Sequence, residues 1–323
     1  MTNLPLITNS ECGTYRRCPR EHKFAYTLGV RSVETDAPLR FGTAIHHCLE
    51  LVMKRRPVNL PDGKAFYDAD PYMAERMTAM IDGYTARWDR NEYEVLATEV
   101  QFDCPLVNPA TGAASTKYAL GGKIDAIVRD ARGDVWIMEH KTSSVDITPG
   151  SQYWQRLRLD AQISTYLVGA RALGFSPRGV LYDVLGKPGM RPLLATPVES
   201  RKYTKTSELY ASQRYEDETP SEYGARIRAA IAADPNKYYV RGTVVRLADE
   251  EREAAEDVWY TAARIRESRR TGIAPRNPDA CVRYGRICAY MPVCTGESDI
   301  DNPARYKRVD TVHQELAVEE SAQ

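Results

Sequence analysis

GGKIDAIVRDARGDVWIMEHKTSS, residues 121–144, decides how this chain is read. Two strand-like runs flank a short polar link. The first run, 123–128, carries Asp125; the second, 134–141, carries Glu139 and, two residues later, Lys141. Side chains alternate faces along a strand, so Glu139 and Lys141 project from one side and His140 from the other. The link contains Gly133 and is short enough for an antiparallel hairpin, which can bring Asp125 beside Glu139. Two carboxylates with a neighbouring ammonium make a hard-cation site with a built-in charge donor, as metal-assisted phosphodiester cleavage requires. An acid two residues before a lysine also occurs on ordinary surface hairpins. Here the apolar run Val135, Trp136, Ile137, Met138 leads straight into Glu139, and a buried strand ending in charges points to a site at its end.

Working outward, residues 9–28 read as a helix opened by Asn9 or Ser10, either of which is a good N-cap. Residues 40–56 read as a second helix carrying His46, and Pro71 begins a third that runs to Trp88. Strands follow at about 94–107, 118–130 and 134–143. An amphipathic helix over 152–173 is stopped by Gly174, and 178–185 reads as another strand. That order suits an α/β fold, a mixed sheet with a crossover helix. Residues 186–220, rich in Gly, Pro, Lys, Thr, Ser and Glu, read as an extended insertion or mobile loop near a substrate channel. A helix at 221–233, a strand at 237–246 and a long helix at 248–270 lead into a cysteine-containing segment. The expected organisation is one compact domain: an N-terminal helical region (1–92), a core (93–186), the insertion (187–220), a C-terminal helical and cysteine region (221–297) and a tail (298–323). Residues 312–323 read as disordered.

At 323 residues the chain is long enough to bury a sizeable core, and its 43% hydrophobic and 27% charged residues describe an ordinary soluble globular protein. No basic-then-apolar leader and no run of membrane-spanning length occurs, so a cytoplasmic location without membrane contact is expected. Formal net charge is zero, so a nucleic-acid surface must come from clustering. The clusters are Arg16, Arg17, Arg20 and Lys23; Lys54, Arg55 and Arg56; Arg264, Arg266, Arg269 and Arg270; and Arg305, Lys307 and Arg308. Each is equally well a solvated face. Tyr153, Trp154, Tyr203, Tyr210, Tyr238 and Tyr239 are candidates for stacking on unpaired bases, although most tyrosines simply pack. Seven cysteines without a leader do not describe a disulfide framework; Cys281, Cys288 and Cys294 crowd together as a metal or cluster site would require.

Taken together these motifs resemble the PD-(D/E)xK nuclease superfamily, and within it the RecB-like branch of helicase-associated and CRISPR-associated exonucleases. The resemblance runs over about residues 10–295. It rests on Cys18-Pro19-Arg20 with the basic-aromatic stretch that follows, on Phe41-Gly42-Thr43-Ala44-Ile45-His46, and on Glu99. It continues through Asp125 in GlyLysIleAsp, Glu139-His140-Lys141, Gln162 and Tyr166 four residues apart, and the three C-terminal cysteines. It implies a restriction-endonuclease-like mixed sheet flanked by helices, with N-terminal helices and the C-terminal cysteine segment closing together. It implies Mg²⁺ or Mn²⁺ held by Asp125, Glu139 and the His140 backbone carbonyl, with His46 contributing from its helix and His47 as the fallback. Lys141 would orient the attacking water or stabilise developing charge, and Gln162 and Tyr166 would orient the lysine or touch a phosphate. The implied activity is a DNA nuclease, an exonuclease on single strands or ends.

The resemblance also implies a [4Fe-4S] cluster on Cys18, Cys281, Cys288 and Cys294, with zinc as the alternative and Cys12 competing with Cys18. The Cys-x6-Cys-x5-Cys spacing departs from the Cys-x2-Cys-x5-Cys of some iron-sulfur members. Cys48 and Cys104 read as buried thiols. The rival readings are a structure-specific endonuclease, a catalytically idle DNA-binding subunit of a recombination or repair complex, and a redox protein that works through its cysteines. No Gly-x4-Gly-Lys-Ser/Thr motif occurs, so any ATP-driven unwinding must come from a helicase or recombination partner.

Overall fold

The computed structural model describes residues 3–34, 37–58, 70–88, 92–283 and 285–316. Its centre is a six-stranded mixed sheet built on the quoted stretch. In chain order the elements are β1 (Leu6–Ile7), α1 (Asn9–Arg17), α2 (Pro19–His22), β2 (Val30–Ser32), α3 (Ala37–Met53) and α4 (Pro71–Arg87). Then come β3 (Tyr93–Val107), β4 (Ala114–Asp130), β5 (Val135–Ser143), α5 (Gln152–Leu157), α6 (Ala161–Ala172) and β6 (Val180–Gly186). The chain continues through α7 (Pro220–Ala233), α8 (Pro235–Tyr238), β7 (Tyr239–Val244), α9 (Ala248–Thr271), β8 (Val282–Arg283), β9 (Arg286–Ile287), α10 (Met291–Thr295) and β10 (Tyr306–Arg308).

The sheet runs β1-β4-β5-β6-β7, with β3 along the other edge of β4. β5 and β6 are parallel, joined through α5 and α6, while β3–β4, β4–β5 and β6–β7 are antiparallel. β6 is buried at every position, as expected of a strand covered on both faces. One face packs Tyr182 and Val184 against Ile163 and Leu167 of α6 and Val258 and Ile265 of α9. The other face packs Leu185 against Ile45 and Leu49 of α3, Met80 and Tyr84 of α4 and Ile227 of α7. α6 can approach the sheet closely because Gly122 and Gly169 leave room for the Phe102 ring; a Cβ would lie 2.6 Å from that ring at Gly122 and 2.5 Å at Gly169.

Several expected elements are divided. The helix expected over 9–28 breaks at Cys18, which is extended (φ −157°, ψ 110°), because the residue before Pro19 is pushed out of the α region. A new helix, α2, starts at Pro19 and passes into a π-helical turn, Lys23–Thr27. The cap of α1 is neither Asn9 nor Ser10 but Thr8, whose Oγ1 accepts the Glu11 N–H at 3.1 Å. The helix expected over 152–173 is two, α5 and α6, because Asp160 caps the second by accepting the Gln162 N–H at 2.9 Å. Nor are residues 312–316 a loose tail. The Gln101 side chain donates to the Leu316 carbonyl at 2.7 Å, and Arg31 donates to the Val312 carbonyl at 2.6 Å. Upstream, β10 pairs with β2. The rest of the segment expected to be disordered, 317–323, lies outside the described residues.

Candidate active site and cysteine cavity

β4 is long enough to pair differently along its length. One edge is paired with β3 over most of the strand, whereas the other meets β1 at 119–120 and β5 at 126–129. Beyond the Ala126–Met138 pair, β4 and β5 diverge. The His140 N–H donates to a side chain, Asp125 Oδ2, at 2.8 Å. This fork sets Asp125 against the end of β5.

Glu139 is 2% exposed, and its Oε1 accepts from Lys141 Nζ at 2.5 Å. Lys141 also donates to Gln162 Oε1 at 3.0 Å, and Gln162 Nε2 donates to the Tyr166 hydroxyl at 2.7 Å. Gln162 thus holds the lysine from α6 and is itself held by Tyr166, one helical turn on. From the α3 side, His46 Nδ1 stands 3.6 Å from Asp125 Oδ2, while His47 faces Glu50, with Nδ1 3.8 Å from Oε2. Glu99, opposite Asp125 in the β3–β4 register, has φ +51° and pairs with Lys123.

The charges tune one another. Burial alone raises Glu139 above the usual carboxylate range, and the Asp125 charge raises it further. Burial would raise Asp125 as well, but His46, His140 and Lys141 outweigh it and hold that carboxyl low. Burial works against the charge on Lys141, yet Glu139 raises it above the ordinary lysine value. Two neighbouring carboxylates with pKa values driven apart thus flank a charged lysine.

Among the described residues, no three His, Cys, Asp or Glu side chains form a ready cage for a metal ion. The donor set nevertheless fits a divalent cation. Glu139 Oε2 is buried without a hydrogen-bond partner, and a buried, unsatisfied carboxylate oxygen beside a second carboxylate is what a hard ion satisfies.

Behind the site lies a network that the sequence reading missed. Asp183, on β6, is fully buried and accepts from the Tyr84 hydroxyl at 2.5 Å and from Arg241 Nε at 3.1 Å; His140 Nδ1 lies 3.1 Å away. Arg241 stacks on Trp88, 4.0 Å from the ring centroid. An aspartate inside the apolar run ValLeuTyrAspValLeu was the available signal.

The second feature is a cavity of about 440 Å³ where the chain ends meet. Cys18, Cys281, Cys288 and Cys294 all line it. The extended backbone before Pro19 sets Cys18 in the gap between α1 and α2. Arg20 donates from its backbone to the Pro275 carbonyl (3.1 Å) and from Nε to the Ala274 carbonyl (2.8 Å), tying α2 to the irregular stretch before the cysteines. Cys12 is elsewhere, fully buried in the main core, where burial pushes its thiol up to about 12. Cys48 and Cys104 are buried too.

Several members of the basic clusters make internal contacts: Arg17 with Glu21, Lys23 with the Gly272 carbonyl, Arg269 with Glu11, Arg270 with Glu267 and Arg308 with Asp301. Of the proposed stacking residues, Tyr238 and Tyr239 are buried and Trp154 donates to the Ile147 carbonyl at 2.7 Å; Tyr203 and Tyr210, between β6 and α7, are half exposed. Among the described residues no helix is long and apolar enough to cross a membrane.

No curated protein matches the chain. A solved structure titled "Crystal structure of SSO0001" aligns over 85% of this chain and 80% of its own, at 14% identity and a TM-score of 0.31, a likeness too loose to carry functional weight. The family model of the PD-(D/E)XK nuclease superfamily matches residues 7–295, from β1 through the last cysteine. The mixed sheet with helices on both faces is consistent with its restriction-endonuclease-like fold. The chain belongs to the PD-(D/E)XK nuclease superfamily.

Proposed function

We propose that this protein is a metal-dependent deoxyribonuclease of the RecB-like, iron-sulfur branch, acting as an exonuclease on single strands or DNA ends. Superfamily membership implies a metal-dependent nuclease. The observation that carries the reading to particular residues is the β4–β5 fork, where Asp125, Glu139 and Lys141 meet with Glu139 Oε2 buried and unsatisfied. Asp125, Glu139 and the His140 carbonyl would hold Mg²⁺ or Mn²⁺, with His46 approaching from α3. When bound, the ion supplies Lewis acidity toward water and phosphate. Lys141, gripped by Glu139 and Gln162, presents a fixed positive charge to the negative charge that develops on the scissile phosphate. Gln162 keeps its carbonyl on the lysine because its amide is committed to Tyr166. His46 and Lys141 reach the carboxylates from different elements, so the site is complete only when α3, β5 and α6 are all in place.

For the cysteines, we propose a [4Fe-4S] cluster on Cys18, Cys281, Cys288 and Cys294. What supports the reading is that all four cysteines line one cavity, as all-thiolate ligation of a cluster, or of zinc as the alternative, requires. Its role is a staple that closes the chain ends on the nuclease core.

The test is digestion of end-labelled single- and double-stranded DNA, linear and circular, with Mg²⁺ or Mn²⁺. Release of labelled mononucleotides or short products from linear DNA, with circles left intact, is expected. Cutting of circles makes the protein an endonuclease. No cutting of any substrate, by protein that binds DNA, makes it an idle subunit.

A further inference from the structure

One peptide, that of His140, holds the β4–β5 fork together. The antiparallel ladder ends at the Ala126–Met138 pair, and past it the His140 N–H takes Asp125 Oδ2 as its acceptor at 2.8 Å. Within a strand, a residue's N–H and C=O point to the same edge. The His140 carbonyl therefore faces the fork as well, on the side of Asp125. A rotation of this peptide moves the Asp125 hydrogen bond and the carbonyl together.

The His140 side chain leaves the strand on the face opposite Lys141. There it begins a row across three strands: His140 is in register with Asp183 on β6, and Asp183 with Arg241 on β7. His140 Nδ1 stands 3.1 Å from Asp183 Oδ2, and Arg241 Nε donates to Asp183 Oδ1 at 3.1 Å. From α4 the Tyr84 hydroxyl donates to Asp183 Oδ2 at 2.5 Å and accepts from Arg241 Nη2 at 3.2 Å. The guanidinium is fixed in turn over two rings, 4.0 Å from the centroid of Trp88 and 5.5 Å from that of Tyr93. His140 is 3% exposed, and its Nε2 is buried without a hydrogen-bond partner among the described residues, so Asp183 is the group that orients the ring. A buried ion pair contributes little to stability over apolar residues of similar size. This one is placed against the residue between Glu139 and Lys141, at the level of the fork.

We propose that Asp183 is a positioning residue for the candidate metal site. Anchored by Arg241 and Tyr84, it fixes the His140 ring, and through the His140 peptide it fixes Asp125 and the carbonyl that faces the fork. The proposal rests on the reading of Asp125, Glu139 and the His140 carbonyl as the groups that hold the metal. Partners that orient a metal's ligands typically govern affinity or activity by about 10–100-fold. Alanine at position 140 cuts this connection selectively, because it keeps the peptide N–H and carbonyl and removes the ring.

The experiment measures Mn²⁺ affinity by calorimetry, without DNA, on the full chain: wild type, Asp183→Asn, His140→Ala, the double variant and Tyr84→Phe. Asp183→Asn should weaken Mn²⁺ binding about tenfold. In the His140→Ala background the same substitution should change affinity by less than about twofold, because the ring through which it acts is gone. Should Asp183→Asn fail to fold, Tyr84→Phe carries the same cycle with His140→Ala, at about threefold for one lost hydrogen bond. A second readout needs no metal. In protein labelled with ¹⁵N at its five histidines, the His140 amide is identified by its absence from His140→Ala. It should shift in metal-free Asp183→Asn, because its bond to Asp125 is altered. A lower melting temperature with the amide and the Mn²⁺ affinity unchanged makes the row structural and overturns the proposal. So does an equal loss of affinity with and without the His140 ring. If Asp183→Asn loses Mn²⁺ through His140 while wild type cuts no DNA, the nuclease reading fails and the positioning role stands. If wild type cuts DNA and Asp183→Asn binds Mn²⁺ and cuts equally well, the positioning role fails alone. A wild type that binds no Mn²⁺ overturns both.

Discussion

Replacing Lys141 by Met separates two roles that most substitutions at this site would confound. The lysine touches Glu139 Oε1 at 2.5 Å and Gln162 Oε1 at 3.0 Å, and Glu139 is only 2% exposed. Methionine keeps the bulk of the stem and removes the charge. The loss of a fixed charge aimed at the transition state costs about 3 kcal/mol, or a rate decrease of about 10²–10³-fold. The effect on metal should go the other way. Glu139 and Asp125 would retain His46 as a neighbour but lose the ammonium, so a dication becomes the main remaining answer to two adjacent carboxylates. Mn²⁺ binding, followed by calorimetry, should therefore be retained while single-turnover cleavage collapses. Asp125→Asn, which removes a metal-binding carboxylate, should lose both. A Lys141→Met rate within about tenfold of wild type would refute the charge argument, and so would a fall in metal affinity parallel to the fall in rate.

Further substitutions test the surroundings. His46→Ala should raise the half-saturating Mn²⁺ concentration for cleavage, whereas His47→Ala, whose imidazole faces Glu50, should leave the metal titration unchanged. Anaerobically purified protein should be brown, with about four irons per chain; Cys281→Ser should lose the colour and Cys12→Ser should keep it, as read by iron analysis and visible absorption. Glu11 is fully buried and accepts from His22 at 2.8 Å and Arg269 at 2.7 Å, so Glu11→Gln should cost about 3 kcal/mol in urea unfolding by leaving a guanidinium poorly paired. Glu218, 2% exposed, is held below the usual glutamate range mainly by Arg226, with the Leu193 N–H as a second donor. A depressed carboxylate stabilises above its unfolded pKa of about 4.3 and loses that contribution as pH falls below it. Limited proteolysis within residues 187–220 should therefore accelerate below that pH in wild type, and at neutral pH in Glu218→Gln.

Local information was enough for the parts that depend on periodicity and turn chemistry. Alternation along 134–141 places Glu139 and Lys141 on one side, the Gly133 link closes the hairpin, and Asn-Pro and Thr-Gly punctuation joins the two long strands. Gln162 and Tyr166 are visible as a pair because they are one turn apart on a single helix. Pro19 could have told where the first helix breaks, since its effect on Cys18 is steric and local.

What the tertiary structure alone decided are the relations between elements distant in sequence. No pattern in 40–56 says which of His46 and His47 faces a carboxylate, because that depends on how α3 is rotated against β4 and β5. Asp183, Tyr84 and Arg241 form one buried network only because β6, α4 and β7 pack together. Cys18 lines the same cavity as three cysteines more than 260 positions away, while the nearby Cys12 does not, because the extended residue before Pro19 turns the chain between them. The basic clusters, conspicuous in sequence, are in part paired with carboxylates and carbonyls that folding brings to them. Backbone geometry and side-chain alternation act over a few residues and can be read along the chain. Electrostatic pairing and cavity formation act through space, and only the packed fold determines which groups meet.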